Sequence, residues 1–123
     1  MEKVSIKIPA SPAYLNVVRL VAAGLASRLK FTIDEIEDLK IAVDELSAYL
    51  TGAQGRDGTM EVSFHIDEDR IEIRGAGEFA PGQKVRTELT DISRVILQTV
   101  VDSATLEQTD GTPVFNVIKS KRK

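Results

Sequence analysis

Val4-Ser-Ile-Lys-Ile8 alternates apolar with polar side chains, as a strand with one buried face does, and Pro9 ends it because proline has no N–H for a ladder. Ser11-Pro12 then supplies an N-cap followed by proline at the first helical position. Leu15, Val18, Val21, Ala22, Leu25 and Leu29 recur at helical spacing, which predicts a helix from about Pro12 to Leu29. A second helix start is better marked. Thr32 can cap it, Glu35 completes a capping box, and Phe31 is placed to pack on Ile36 as a hydrophobic staple. Ile36, Leu39, Val43, Leu46 and Leu50 form its apolar stripe, and Asp38, Ala42, Glu45 and Tyr49 form an adjacent row.

The glycine-rich segment from Thr51 to Gly58 reads as a loop. Met60 to Ile66 and Arg70 to Arg74 alternate cleanly, and Asp67-Glu-Asp69 joins them as a hairpin. Gly75 to Thr87, with Pro81, is expected to be a loop or lid. Leu89, Ile92, Val95, Ile96 and Val100 then predict a third amphipathic helix. Strands around Ala104 to Gln108 and Pro113 to Ile118 flank the turn Thr109-Asp-Gly-Thr112. Three helices on a mostly antiparallel sheet make the expected class α+β, a two-layer sandwich in one domain spanning residues 1–123.

Composition sharpens this picture chiefly by exclusion. The 123 residues, 42% hydrophobic and 28% charged, describe an ordinary globular chain. A net charge of -3 offers no general attraction to phosphate backbones, so direct nucleic-acid binding is not expected. The basic run Lys119-Ser-Lys-Arg-Lys123 reads as a solvated tail. With no cysteine, the chain can form neither disulfides nor zinc ribbons, which fits a reducing compartment. No apolar run approaches the roughly 18 residues that span a bilayer. Met1-Glu-Lys-Val-Ser-Ile lacks the apolar block of a signal peptide, so a cytoplasmic protein is expected. His65 reads as a strand residue, Asp67-Glu-Asp69 lacks the calcium-loop pattern, and no metal site is expected.

Gly24-Leu-Ala-Ser-Arg-Leu-Lys-Phe31 and Ile36-Glu-Asp-Leu-Lys-Ile-Ala-Val-Asp-Glu45 closely resemble the end of the first helix and the second helix of the anti-sigma-factor serine kinases, members of the histidine-kinase/Hsp90-like ATPase superfamily. Gln98, Val101-Asp102 and Asp110-Gly111-Thr112 extend the resemblance, as does the order of elements. It implies the Bergerat-type sandwich of that superfamily. It also implies three nucleotide motifs. In the first, a glutamate acts as general base and an asparagine one turn later holds magnesium; here the residues are Glu45 and Tyr49, and a phenol is a poor ligand for a hard cation that wants compact oxygen donors. In the second, an aspartate accepts the adenine amino group and a glycine follows two residues on. Gly75 and Gly77 stand there, so only the glycine is kept. In the third, a glycine pair opens the third helix around phosphate; here the sequence is Asp91-Ile-Ser-Arg94, with an anion where phosphate would lie. Hydrogen bonds to charged groups are worth roughly 1.5–3 kcal/mol each, so three such losses would remove most of a micromolar affinity of about 8 kcal/mol.

The resemblance also places Arg19 where the family has an arginine that contacts both the sigma factor and its antagonist, and the guanidinium fork suits a partner carboxylate. Three functions follow. The leading one is a homodimeric anti-sigma-type regulator that binds a sigma factor or a STAS-domain anti-anti-sigma protein without nucleotide. The second is an ATP- and magnesium-dependent serine kinase acting on that antagonist, with Glu45 as its base and Gly77 against the nucleotide. The third is a pseudokinase-like scaffold that pairs with an active paralogue. Without nucleotide, Glu45 is simply an acidic group on a partly solvated helix face.

Overall fold

The structure is a computed structural model that describes residues 2–121. Within them the elements run β1 (Glu2–Pro9), a 3-10 turn (Pro12–Tyr14), α1 (Leu15–Arg28), α2 (Ile33–Thr51), β2 (Gly58–Ile66), β3 (Arg70–Phe79), α3 (Asp91–Val100), β4 (Ser103–Thr109) and β5 (Thr112–Ser120). The strands form one antiparallel sheet in the order β1-β2-β3-β5-β4. Met60, Val62 and Phe64 of β2, Ile71 and Ile73 of β3, and Phe115 and Val117 of β5 point to one face. There they meet Val18, Ala22 and Ala26 of α1, Leu39, Val43, Leu46 and Leu50 of α2, and Leu97 and Val100 of α3. The two-layer α+β sandwich expected from the sequence is the fold observed. No helix among the described residues is long and apolar enough to cross a membrane.

Local chemistry explains where the helices begin. Ser11 Oγ accepts from Ala13 N–H at 3.3 Å, and Pro12 opens the turn that leads into α1. Thr32 and Glu35 close the expected capping box, with Glu35 N–H donating to Thr32 Oγ1 at 3.1 Å and Thr32 N–H to Glu35 Oε1 at 2.7 Å. Phe31 and Ile36 both pack into the core beside that box. The β4–β5 hairpin turns on Asp110 (φ 52°) and Gly111 (φ 79°), the pair of positive φ values that a tight hairpin requires.

Three expectations are corrected. The strand after the hairpin does not stop at Arg74. It continues through Gly75 and Gly77 to Phe79, pairing Gly75 with Val62 and Phe115, so the loop begins only at Ala80. The glycines there serve close packing under aromatic rings rather than a turn. The apolar stripe of α3 is split: Ser93, Leu97 and Val100 face inward, while Ile92 and Val95 are 74% and 63% exposed. Ser93 faces inward because α2 presents polar partners to it. Finally, Lys119 is not part of a solvated tail. It occupies a core-facing position of β5, 3% exposed, where Nζ donates to Val100 O at 2.7 Å and lies 3.8 Å from Asp38 Oδ2. The rest of that basic run reaches Arg122 and Lys123, which lie outside the described residues.

Lys119 thus supplies a cation to a carbonyl at the C-terminus of α3, where the helix dipole favours one. A charge-assisted hydrogen bond of this kind is worth roughly 1.5–3 kcal/mol. Urea unfolding of Lys119→Ala is expected to show a loss of about 2–3 kcal/mol, whereas exposed Lys3→Ala should stay within about 0.5 kcal/mol.

Candidate functional site

The last two turns of α2 and the first turn of α3 meet through four polar side chains. Glu45 and Tyr49 lie one turn apart on α2 and point to the same side. Thr90 caps α3, accepting from Ser93 N–H at 3.1 Å. Ser93 Oγ lies 2.5 Å from Glu45 Oε2, 2.8 Å from Tyr49 OH and 3.0 Å from Thr90 Oγ1. The phenol oxygen also accepts from Thr90 N–H at 3.0 Å.

A hydroxyl has one proton and two lone pairs, which determines the direction of each bond. Ser93 gives its proton to the carboxylate of Glu45, which can only accept. Its lone pairs then receive Thr90 Oγ1–H and Tyr49 O–H. Every hydrogen-bonding valence of this hydroxyl is used, although Ser93 is only 3% exposed. Burial pushes the Tyr49 phenol up, as does the charge of Glu45, while its hydrogen bonds with Ser93 and Thr90 leave it below its ordinary value.

The C-terminus of α2 is held by a residue that sequence pattern did not single out. Arg56 Nε donates to Leu50 O at 2.6 Å and Nη2 to Tyr49 O at 3.2 Å, which satisfies two terminal carbonyls. Its remaining Nη1 donates to Lys84 O at 3.1 Å, in the loop between β3 and α3. The same guanidinium lies 5.9 Å over the centre of the Phe79 ring, within cation–π range.

Gly75 and Gly77 form the adjoining wall. A side chain at Gly75 would start 2.2 Å from the Phe115 ring, and one at Gly77 would start 2.4 Å from the Phe79 ring. Each glycine is therefore roofed by an aromatic ring. A cavity of about 560 Å³ opens nearby, between the end of β3, the following loop and the β4–β5 turn. Gly77 lines it, but Glu45, Tyr49, Thr90 and Ser93 do not.

Arg19 sits apart on the α1–α2 surface, where Nε lies 3.1 Å from Asp44 Oδ1. Burial raises the Asp44 carboxyl above its ordinary range, against the opposing charges of Arg19 and Lys40. The exposed apolar side chains Val17 and Leu20 belong to α1 and Ile41 to α2. His65 lies in β2 opposite Lys3 and Glu72, and Asp67 accepts from Glu68 N–H at 2.7 Å within the hairpin turn. Among the described residues, no three His, Cys, Asp or Glu side chains converge as a metal site needs.

Thus Glu45, Tyr49 and the start of α3, matched separately in the sequence, are brought together. Gly75 and Gly77 lie in the neighbouring strand, and Arg19 lies on another face. Ser93, Arg56 and Phe115 went unrecognised as parts of this site. Thr90 before Asp91 carries an N-cap signal, whereas nothing in spacing marks Arg56, because its partners are backbone carbonyls.

No protein-family model matches the chain. It is similar to curated proteins named serine-protein kinase RsbW. It is 42% identical to that of Bacillus pumilus (strain SAFR-032) over 78 residues, covering 59% of this chain and 48% of the relative. It is 45% identical to that of Halalkalibacterium halodurans over 73 residues, covering 58% and 45%. It is 40% identical to that of Bacillus subtilis (strain 168) over 78 residues, covering 61% and 49%. The chain spans about half the length of the curated relatives it matches. These relatives bear out the resemblance to the serine-kinase family.

The roofed glycine gives a direct test. Gly75→Asp must displace Phe115 and bury a carboxylate, so it is expected to cost on the order of 3 kcal/mol in urea unfolding. Phe115→Ala alone should cost about 3–5 kcal/mol. The double variant should be more stable than their sum by about 1 kcal/mol or more, because the second change makes room for the first.

Proposed function

We propose that this chain, a relative of the serine-protein kinases RsbW, is an anti-sigma-type regulator that works by protein–protein binding in a sigma-factor partner-switching network and does so without nucleotide. The carrying observation is the bonding of Glu45 and Tyr49 to Thr90 and Ser93. Where the resemblance puts a general base, a magnesium ligand and a phosphate-binding helix start, this chain has its own hydroxyl groups bonded to one another. A nucleotide with its cation would have to break these bonds and bring oxygen ligands that the tyrosine does not offer. The ring of Phe115 over Gly75 supports the same reading on the adenine side, because an aspartate there would collide with it.

The binding surface we assign is the outer side of α1 around Arg19, with Val17 and Leu20 and with Ile41 of α2 beside it. Apolar contacts would supply area, and the guanidinium would pair with a partner carboxylate. The partners are a sigma factor and a STAS-domain antagonist competing for that surface, and the working form is a homodimer. Occlusion of the sigma factor would be the mechanism.

A second reading, an ATP-dependent serine kinase acting on the antagonist, is favoured by the relatives being serine-protein kinases by name and by Glu45 at the base position. Calorimetry with millimolar ATP and magnesium separates the two readings. The binding-module reading expects no saturable heat, whereas heat with a defined stoichiometry would establish the kinase reading. In co-elution with the sigma factors of its host, Arg19→Glu is expected to weaken capture at least tenfold, about 1.4 kcal/mol, while loss of the Asp44 pair lowers the melting temperature by no more than a few degrees. Capture unaffected by that substitution would remove α1 from the interface.

A further inference from the structure

The segment from Ala80 to Leu89 is the longest irregular stretch among the described residues, yet it is tied to the folded body at four points, the first being Ala80 N–H, which donates to Asp57 O at 2.9 Å. Near its middle, Lys84 O accepts from Arg56 Nη1 at 3.1 Å. One residue on, Val85 O accepts from Gln108 Nε2 of β4 at 3.2 Å. At its far end, Thr90 N–H donates to Tyr49 OH at 3.0 Å. Two of the four ties converge on the last turn of α2, since Arg56 also grips the carbonyls of Tyr49 and Leu50.

We propose that this segment is a strap held shut by the chain's own groups, with Tyr49 of α2 and Arg56 of the loop that follows α2 as its two clasps, so that the strap and the start of α3 stay closed with no ligand present. The inference rests on the nucleotide-free reading above for its consequence, but its geometry stands independently. The clasps work on different parts. Tyr49 fixes the end of the strap by engaging the cap of α3, where Thr90 and Ser93 complete the bonding. Arg56 fixes its middle through a backbone carbonyl, which makes that tie indifferent to the side chain at position 84. Gln108 adds a tie from the sheet edge. A loop closed by a ligand would lack such bonds until the ligand arrived. Here the donors and acceptors are already matched.

Lys84 and Arg86 lie within the strap and Lys40 lies in the middle of α2, so trypsin reports strap opening and general unfolding separately. In the full chain, cleavage after Lys84 and Arg86 relative to Lys40 is expected to rise at least fivefold in Tyr49→Phe and in Arg56→Met. Residue-resolved amide exchange should show Thr90 protected at least tenfold, with that protection lost in Tyr49→Phe. Saturating ATP and magnesium should change neither readout in the wild-type chain. Thr90 exchanging equally fast in the wild type and Tyr49→Phe would overturn the inference, as would cleavage in the strap slowed by nucleotide. Calorimetric binding of ATP with the strap unchanged would support the inference and sink only the nucleotide-free reading.

Discussion

The placement of α3 depends on one buried hydroxyl. Ser93 Oγ must find three partners in a place water does not reach, and a buried hydroxyl left unsatisfied costs roughly 1–3 kcal/mol. Glu45 and Tyr49 supply two of those partners from α2, and Thr90 supplies the third from the helix cap. Their demand sets the rotation of α3 about its own axis. Turning the helix to bury Ile92 and Val95 would break the two bonds to α2, so these apolar side chains stay in solvent while Leu97 and Val100 fill the core. The polar cluster therefore decides which apolar residues count as core.

That priority explains what the sequence made legible. α2 was readable to its first residue because Thr32, Glu35 and Phe31 act locally, within one turn. The alternating strands β1 and β2 were readable because their period of two is a local consequence of the pleat. The phase of α3 was not, since Ile92, Val95 and Ile96 make an apolar stripe as regular as the true one, and the deciding contact comes from a residue 48 positions away. The extent of β3 was misread for a related reason. Gly75 and Gly77 look like loop residues until the rings of Phe115 and Phe79 are seen to require their lack of a side chain. Lys119 looked like a tail because charge runs are usually solvated, and only the β5 register turns it inward. The candidate site was half legible: the motif positions on α2 and β3 could be matched, but the groups that now bond them could not.

Around this site, side chains rather than bound groups satisfy the helix ends. Thr32 and Thr90 cap the N-termini of α2 and α3, and Arg56 and Lys119 take terminal carbonyls at their C-termini. Anions or hydroxyls at the start and cations at the end match the helix dipole at all four positions. Such caps are individually worth about 1 kcal/mol, and Arg56 and Lys119 also fix orientation, because they join a helix end to a loop and to β5.

The first helix is tied differently. Its N-cap position, Tyr14, makes no side-chain capping bond, and α1 meets α2 through apolar contacts and the partly exposed pair Arg19–Asp44. An exposed ion pair contributes little to stability, typically under 1 kcal/mol, so stability is a weak reason to hold a long arginine there. What the pair does supply is placement. Asp44 Oδ1 lies 3.1 Å from Nε as a charge contact without hydrogen-bond geometry, which leaves the Nη fork of the guanidinium for a second carboxylate. The molecule thus divides its polar groups between two tasks. Those between α2 and α3 are spent on one another and close that side, while those between α1 and α2 are only partly satisfied and face solvent among exposed aliphatic side chains. Under the proposed function, the second arrangement serves recognition of other proteins, and the first stands in place of an open nucleotide cleft.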